Sequence, residues 1–265
     1  MDNFDFKEFY DHQPDYAAFR NDTDKRREYD IAVTWKVNNL CSLVPDSISF
    51  SNILEIGCAM GILLNKVSDS LSIKDRAGLD ISAENIKLAK QLFPECTFIQ
   101  GKVEDIELIL LTEKQGKKFD LVILSDIVEH IPDDLDFMKK VSGISSYVMI
   151  NLPLEKCYRN RNRNYGVDDP SGHLRNYNRH DAERLAESAG FKIIASFTAN
   201  AHYNKEHFQI YWKNRRDRIR GKSFFKKVFW TIFYFLLDVI RIFAPLLYIK
   251  ISGSNYFALL KSFAR

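Results

Sequence analysis

The sequence predicts an α/β fold, a doubly wound and mostly parallel sheet with helices on both faces. Three observations carry that expectation. Short apolar runs alternate with segments of helical spacing from about residue 50 to 200. The segment Phe119 to Ser125 is almost continuously apolar, as a strand buried on both faces must be. The run Ile53 to Ile56 ends in Gly57-Cys58-Ala59-Met60-Gly61, a turn of small residues that lets backbone approach a nucleotide-like ligand.

The elements follow in order. Residues 1 to 50 read as a helical, aromatic-rich cap, with Tyr29, Val33, Trp35, Val37 and Leu40 on a loosely helical spacing before Pro45-Asp46-Ser47 interrupts. Asn52 to Gly57 is a strand, Ile62 to Ser70 a helix and Arg76 to Ile81 a strand. Ser82 to Phe93 is a helix with Ser82 as N-cap, stopped by Pro94. Thr97 to Gln100 is a short strand, Val103 to Leu111 a helix, and Phe119 to Ser125 the buried strand. Asp133 to Ser142 is a helix, Ser146 to Leu152 a strand, His180 to Ala189 a helix closed by Gly190, and Phe191 to Phe197 a strand. Asn255 to Phe263 is the last strand. The expected organisation is therefore a cap (1–50), a core (51–199 with 255–265) and a basic, hydrophobic helical insertion (200–254).

Composition narrows the function classes. With 265 residues the chain can hold one large core and an elaboration, and 46% hydrophobic against 28% charged residues is ordinary for a folded protein. A net charge of +3 does not by itself indicate nucleic acid, but its distribution is uneven. The front is acidic, whereas Lys213, Arg215, Arg216, Arg218, Arg220, Lys222, Lys226 and Lys227 form a basic run. Cys41, Cys58, Cys96 and Cys157 lack the spacing of a zinc site or a disulfide framework. Met1 to Phe6 has no basic and apolar signal-peptide pattern, and a cytoplasmic location is expected.

Spacing in the first turn separates two ligand classes. A dinucleotide fingerprint counted from Gly57 would need a small residue where Ile62 stands. Small residues at 57, 59 and 61, with Gly78-Leu79-Asp80 ending the next strand, follow a different rule. Here the chain resembles the class I S-adenosylmethionine-dependent methyltransferases, of the small-molecule type found in quinone and glycan pathways. Their first motif reads E/D-x-G-x-G-x-G, and Ala59 replaces its central glycine. The resemblance implies a Rossmann-like class I methyltransferase fold: seven strands, the last antiparallel, with the hydrophobic insertion just before it.

It also implies S-adenosyl-L-methionine as cofactor, held by Glu55, Gly57, Cys58, Ala59, Gly61, Asp80, Ile81, Val103, Glu104 and Ser125. Glu55 would serve the methionine end or brace the loop, and Asp80 would offer both oxygens to the ribose hydroxyls. Gly101-Lys102-Val103-Glu104-Asp105 resembles the family's G-D-A-E-D segment, with Lys102 in place of the acid. Ser125-Asp126-Ile127-Val128-Glu129-His130-Ile131-Pro132 resembles its V-L-E-H-V/I segment. Nothing like N-P-P-Y follows the fourth strand, so nucleic acid is not the expected partner.

Transfer from a sulfonium needs alignment of nucleophile, methyl and sulfur and exclusion of water, without requiring a metal or covalent intermediate. For a hydroxyl acceptor a base helps, and the candidates are His130 and His173. His173 lies in Gly172-His173-Leu174-Arg175-Asn176-Tyr177, which resembles the family's H-L-R-x-F/Y segment. Each histidine is equally open to a bracing role, and Arg175 to anchoring an anion or the loop. His12, His180, His202 and His207 carry no comparable context. The polar stretch Glu155 to Pro170 reads as a substrate loop, with Arg159, Arg161 and Arg163 either meeting an acidic group of the acceptor or solvated.

Val228 to Ile251 is hydrophobic enough to raise the question of a membrane, but Asp238, Arg241 and Pro245 disfavour a simple span. On a helix, Lys227, Thr231, Tyr234, Asp238 and Arg241 form one polar stripe on an otherwise apolar surface. An interfacial helix on an anionic membrane, packing against the core, and a homodimer contact all remain open. The expected function is methylation of a small-molecule acceptor, amphipathic or anionic, at oxygen. A non-catalytic scaffold of the same fold at a membrane surface is the alternative.

Overall fold

The computed structural model describes residues 6–12, 14–103, 106 and 117–263. Its strands are β1 (Asn52–Ile56), β2 (Asp75–Asp80), β3 (Thr97–Gln100), β4 (Phe119–Ser125), β5 (Ser145–Leu154), β6 (Phe191–Ala199) and β7 (Ser254–Ser262), of which β4 is the most continuously aliphatic. They make one seven-stranded sheet in the order β3-β2-β1-β4-β5-β7-β6. The first five are mutually parallel, and β7 runs antiparallel between β5 and β6. Strand order reverses between β1 and β4, which opens a crevice at their carboxyl ends.

Helices α1 (Phe6–His12), α2 (Pro14–Asn21) and α3 (Thr23–Cys41) precede the sheet. α4 (Ile62–Ser70) and α5 (Ala83–Leu92) follow β1 and β2; α6 (Asp134–Ile144) and α7 (Arg179–Ser188) follow β4 and β5. Side-chain alternation sends β1 to both faces. Ile53 meets Val33, Leu40 and Leu64 on one side, while Leu54 and Ile56 join Phe137, Val141 and Ala182 on the other. Each fully buried aliphatic chain of this kind contributes roughly 1.5–3 kcal/mol. Local chemistry sets the ends: Ser82 Oγ accepts from the Asn85 amide at 3.2 Å, and Asn178 with Asp181 forms a capping box on α7. Apart from Val103 and Ile106, the expected helix at 103–111 lies outside the described residues.

Between β6 and β7 stand α8 (Lys205–Arg220), α9 (Phe224–Phe243) and α10 (Pro245–Ser252). Pro245 opens α10, where its missing N–H costs nothing, and so breaks the hydrophobic run in two. Part of the polar stripe on α9 faces inward. Arg215 of α8, 3% exposed, pairs with Asp238 at 2.9 Å between the rings of Tyr211 and Tyr234. Arg241 lies over the Phe208 ring at 3.9 Å. The apolar remainder faces out: α9 has no buried residue, and Phe225 and Phe243 are 84% and 80% exposed. This overturns the alternative that the hydrophobic surface packs against the core. Arg215 likewise leaves the expected basic surface run, because its guanidinium is the anchor of α9. Among the described residues no helix is long and apolar enough to cross a membrane.

Candidate active site

The turn after β1 is drawn against β2 by hydrogen bonds from the Gly57 and Cys58 amides to the Leu79 carbonyl, at 2.7 and 3.0 Å. Gly57, Ala59 and Gly61 all take the left-handed conformation, with φ of +75°, +45° and +74°. Gly61 has no room for a side chain, since a Cβ would stand 2.6 Å from the Phe98 ring. Ala59 tolerates its conformation at about 1 kcal/mol of strain, which is why replacing glycine there leaves the path of the turn intact.

Two buried carboxylates hold the crevice walls. Glu55 Oε2 accepts from the Leu64 amide at 2.9 Å, inside the first turn of α4, and burial pushes its pKa well above the usual carboxylate range. Asp80 accepts from the Ala59 amide through Oδ2 at 2.8 Å and from the Ser82 amide through Oδ1 at 2.9 Å. Burial lifts its pKa too, against those hydrogen bonds. Glu55 therefore braces the loop. Asp80 ties the turns after β1 and β2 together; Oδ1 also accepts from Asn85 Nδ2 at 3.5 Å, while Oδ2, with the Ala59 amide as its one hydrogen-bond donor, retains acceptor capacity.

The other expected cofactor positions are placed as follows. Cys58 is buried in the layer of Phe98 and Ile62, its sulfur close to Gly78, so only its backbone faces the turn. Ile81 and Val103 are half-buried beyond β2 and β3. Glu104 lies outside the described residues. Ser125 Oγ is engaged with Asp126 Oδ2 at 3.1 Å and accepts from Asn151 Nδ2 at 3.0 Å.

Several residues without an expected role complete the mouth. Asp126, at φ +52°, forms an ion pair with Lys36 of α3 and accepts from Asn151 at 3.1 Å. Asp11 accepts from Ser82 Oγ, and the Tyr10 hydroxyl lies 2.8 Å from His130 Nδ1. α1 thus crosses the crevice from the end of β2 to the loop after β4.

His130 and His173, far apart in sequence, meet because their loops are stitched by backbone. The Leu174 amide donates to the Glu129 carbonyl at 2.9 Å, and His130 Nδ1 lies 2.9 Å from the Gly172 carbonyl. The two rings stand edge to face at 4.8 Å. A carbonyl partner requires the proton on His130 Nδ1, and the Glu155 carboxylate, 2.7 Å from His173 Nδ1, requires the same there. In the neutral form of each ring the lone pair then falls on Nε2. Burial and the neighbouring His173 lower the His130 pKa to about 4, so it is neutral under physiological conditions. Beside them Glu129 is 1% exposed, and neither of its carboxylate oxygens has a hydrogen-bond partner.

Glu155 is itself gripped by Arg163 at 2.7 Å, and Arg163 also makes two hydrogen bonds of 2.6 Å to Asp169. Arg163 is therefore a structural tie of its loop and is spent for binding an acceptor. Arg175 pairs with Asp134 at 2.7 Å and donates to the Pro132 carbonyl, which makes it the loop anchor.

This crevice and turn match a known family, whose model, described as a methyltransferase domain, covers residues 24–196. The chain belongs to the methyltransferase domain family. As the motifs imply, it is a class I S-adenosylmethionine-dependent methyltransferase. Over 96 residues the methyltransferase is 30% identical to the ubiquinone biosynthesis O-methyltransferase of Haemophilus ducreyi, spanning 35% of this chain and 39% of that relative. Solved structures share its fold at low identity. Phosphoethanolamine N-methyltransferase 2 of Haemonchus contortus, in complex with S-adenosyl-L-methionine, matches with a TM-score of 0.64 at 14% identity, covering 99% of this chain and 61% of that one. Magnesium protoporphyrin IX methyltransferase of Synechocystis PCC 6803, with bound SAH, gives 0.57 at 12% identity, covering 97% and 98%.

Proposed function

We propose that this methyltransferase methylates a hydroxyl of an amphipathic, lipid-linked small molecule, taken from the surface of an anionic membrane. The donor lies across the turn at Gly57 to Gly61, with its ribose against Asp80. The acceptor oxygen loses its proton at the cluster of Glu129, His130 and His173 and displaces the methyl group in line from sulfur. Because Nδ1 of both histidines is committed to other partners, the Nε2 atoms are the groups turned to the chemistry.

The observation that carries the acceptor class is the inverted helix α9. It turns Asp238 inward to pair with Arg215 and presents Phe229, Phe235 and Leu236 outward, 61%, 65% and 53% exposed. Arg216, Arg218, Arg220, Lys226 and Lys227 are exposed alongside. Aromatic side chains for the acyl boundary beside cations for head groups are what an interfacial helix requires. We read residues 200–254 accordingly as a membrane-docking insertion, within which α10 packs beside Tyr158–Asn160 of the substrate loop. A depression of about 460 Å³ lies between them, lined by Glu155, Tyr158, Arg161 and Lys250. It suits an anionic head group beside the Glu155–His173 pair. The relative named for O-methylation in ubiquinone biosynthesis supports oxygen as the nucleophile.

The test is methyl transfer from labelled adenosylmethionine to a hydroxylated aromatic with and without an isoprenoid tail, in anionic vesicles and without them. The tailed acceptor in anionic vesicles is expected to turn over fastest. Equal rates for both acceptors under all conditions would overturn the lipid-linked reading.

A further inference from the structure

Glu129 is the unexplained residue of the site. Buried polar groups in folded proteins find partners almost without exception, and a carboxylate with two idle oxygens calls for a missing one. At 1% exposure, bulk water does not supply it. What faces Glu129 is equally specific: the ligand-capable atoms of Glu129, His130 and His173 all lie within 4.8 Å of one another.

We propose that Glu129, His130 and His173 form a binding site for a divalent metal ion of the zinc or manganese type, with the two Nε2 atoms and one carboxylate oxygen as ligands. Around a metal at about 2.0–2.2 Å, ligand atoms stand roughly 3 Å apart. A spread of at most 4.8 Å among the ligand-capable atoms of the three residues is already close to that spacing. Two imidazoles suit zinc, a borderline ion, and the carboxylate also accommodates manganese, whereas calcium and magnesium prefer oxygen throughout.

The surroundings have the form such a site needs. A metal-binding histidine usually donates its other ring N–H to a carboxylate or a carbonyl. His173 Nδ1 is 2.7 Å from Glu155, and His130 Nδ1 is 2.9 Å from the Gly172 carbonyl. Arg163 fixes Glu155 in turn at 2.7 Å. The ligands sit on two loops joined by backbone hydrogen bonds, so they are brought together before any ion arrives.

The site rests on the methyl-transfer reading for its purpose and supplies the means of ionising the acceptor. Three protein ligands leave a position open for the acceptor oxygen, whose O–H proton passes to water as the oxygen binds the cation. The oxygen then forms the O–C bond to the methyl group while the C–S bond breaks. Its electron pair goes to sulfur, and the sulfonium becomes a neutral thioether. In this arrangement the cation takes the place of an imidazole base.

The experiment uses the full chain, stripped with a chelator and titrated with Mn²⁺ by electron paramagnetic resonance and with Zn²⁺ by calorimetry. One site per chain is expected. Glu129→Gln and His173→Ala are each expected to weaken it more than about tenfold, and Glu155→Gln about tenfold. Adenosylmethionine binding by the same variants serves as the control for folding. No uptake of either ion at millimolar concentration would overturn the site. So would metal binding that is unchanged in Glu129→Gln and His173→Ala variants that still bind adenosylmethionine. Loss of adenosylmethionine binding by the unaltered chain would instead strike at the methyltransferase reading, whatever the metal does.

Discussion

Helices α4 and α9 are both amphipathic, and they are mounted in opposite senses. α4 turns Ile62, Leu63, Leu64 and Val67 into the core and Asn65 and Lys66 toward its rim. α9 turns Tyr234, Asp238 and Arg241 toward α8 and exposes its phenylalanines. A helix of the first kind is stabilised within its own chain; one of the second kind holds apolar area in reserve for another surface. The difference separates what the fold needs from what the insertion is for.

The largest expected effect tests the first kind. Gly61→Val would place a branched side chain at φ +74°, with its Cβ 2.6 Å from the Phe98 ring. A cost of about 3 kcal/mol or more is expected from overpacking and left-handed strain together, read as a fall in the midpoint of urea unfolding. The second kind should respond in the reverse way. Phe229→Asp with Phe235→Asp should reduce flotation with anionic vesicles about tenfold for each aromatic removed. Folding stability should move by only about 0.5 kcal/mol, as for other surface changes. Equal losses of stability in α4 and α9 variants would break the comparison.

A smaller effect concerns the substrate loop between the two regions. Burial alone would raise the Asp169 carboxyl, but its hydrogen bonds from Arg163 outweigh that and hold it below its ordinary value. For Glu155, burial is likewise outweighed by His173 and Arg163. A depressed carboxyl pKa contributes stability that is fully present above the unfolded value near 4 and is lost as pH falls through the folded one. Hydrogen exchange across 155–173 should accelerate below about pH 4 before the sheet responds. The smallest effect is that of Ala59→Gly. Relief of the left-handed strain at φ +45° competes with added unfolded-state freedom, leaving a gain of at most about 1 kcal/mol in thermal unfolding.

Much of the core was legible because its signals are local. Ile62–Ser70, Thr97–Gln100 and Phe119–Ser125 have the limits their apolar runs and turn residues suggest, and β7 returns as an antiparallel strand. The small-residue turn was legible for the same reason, since close approach permits few side chains. What escaped depends on distance along the chain. The pairing of Lys36 with Asp126, and of Glu155 with His173, is set by how loops cross over the sheet and leaves no periodic trace. Periodicity placed the polar residues of α9 on one stripe but carries no sign for inside or outside. Arg215, which chose the inward direction, read as one more charge in a basic run. Glu129 stood within a recognisable motif, yet its lack of partners is visible only in three dimensions.

The central claim is that the crevice between Gly57 to Gly61 and Asp80 holds the methyl donor, and calorimetric titration with S-adenosylmethionine tests it most directly. The expected result is one saturable site per chain. Asp80→Ala, which removes the acceptor for the Ala59 and Ser82 amides, should weaken it about a hundredfold, or ~2.7 kcal/mol. Absence of binding to the unaltered chain, or binding indifferent to Asp80→Ala, would contradict the account.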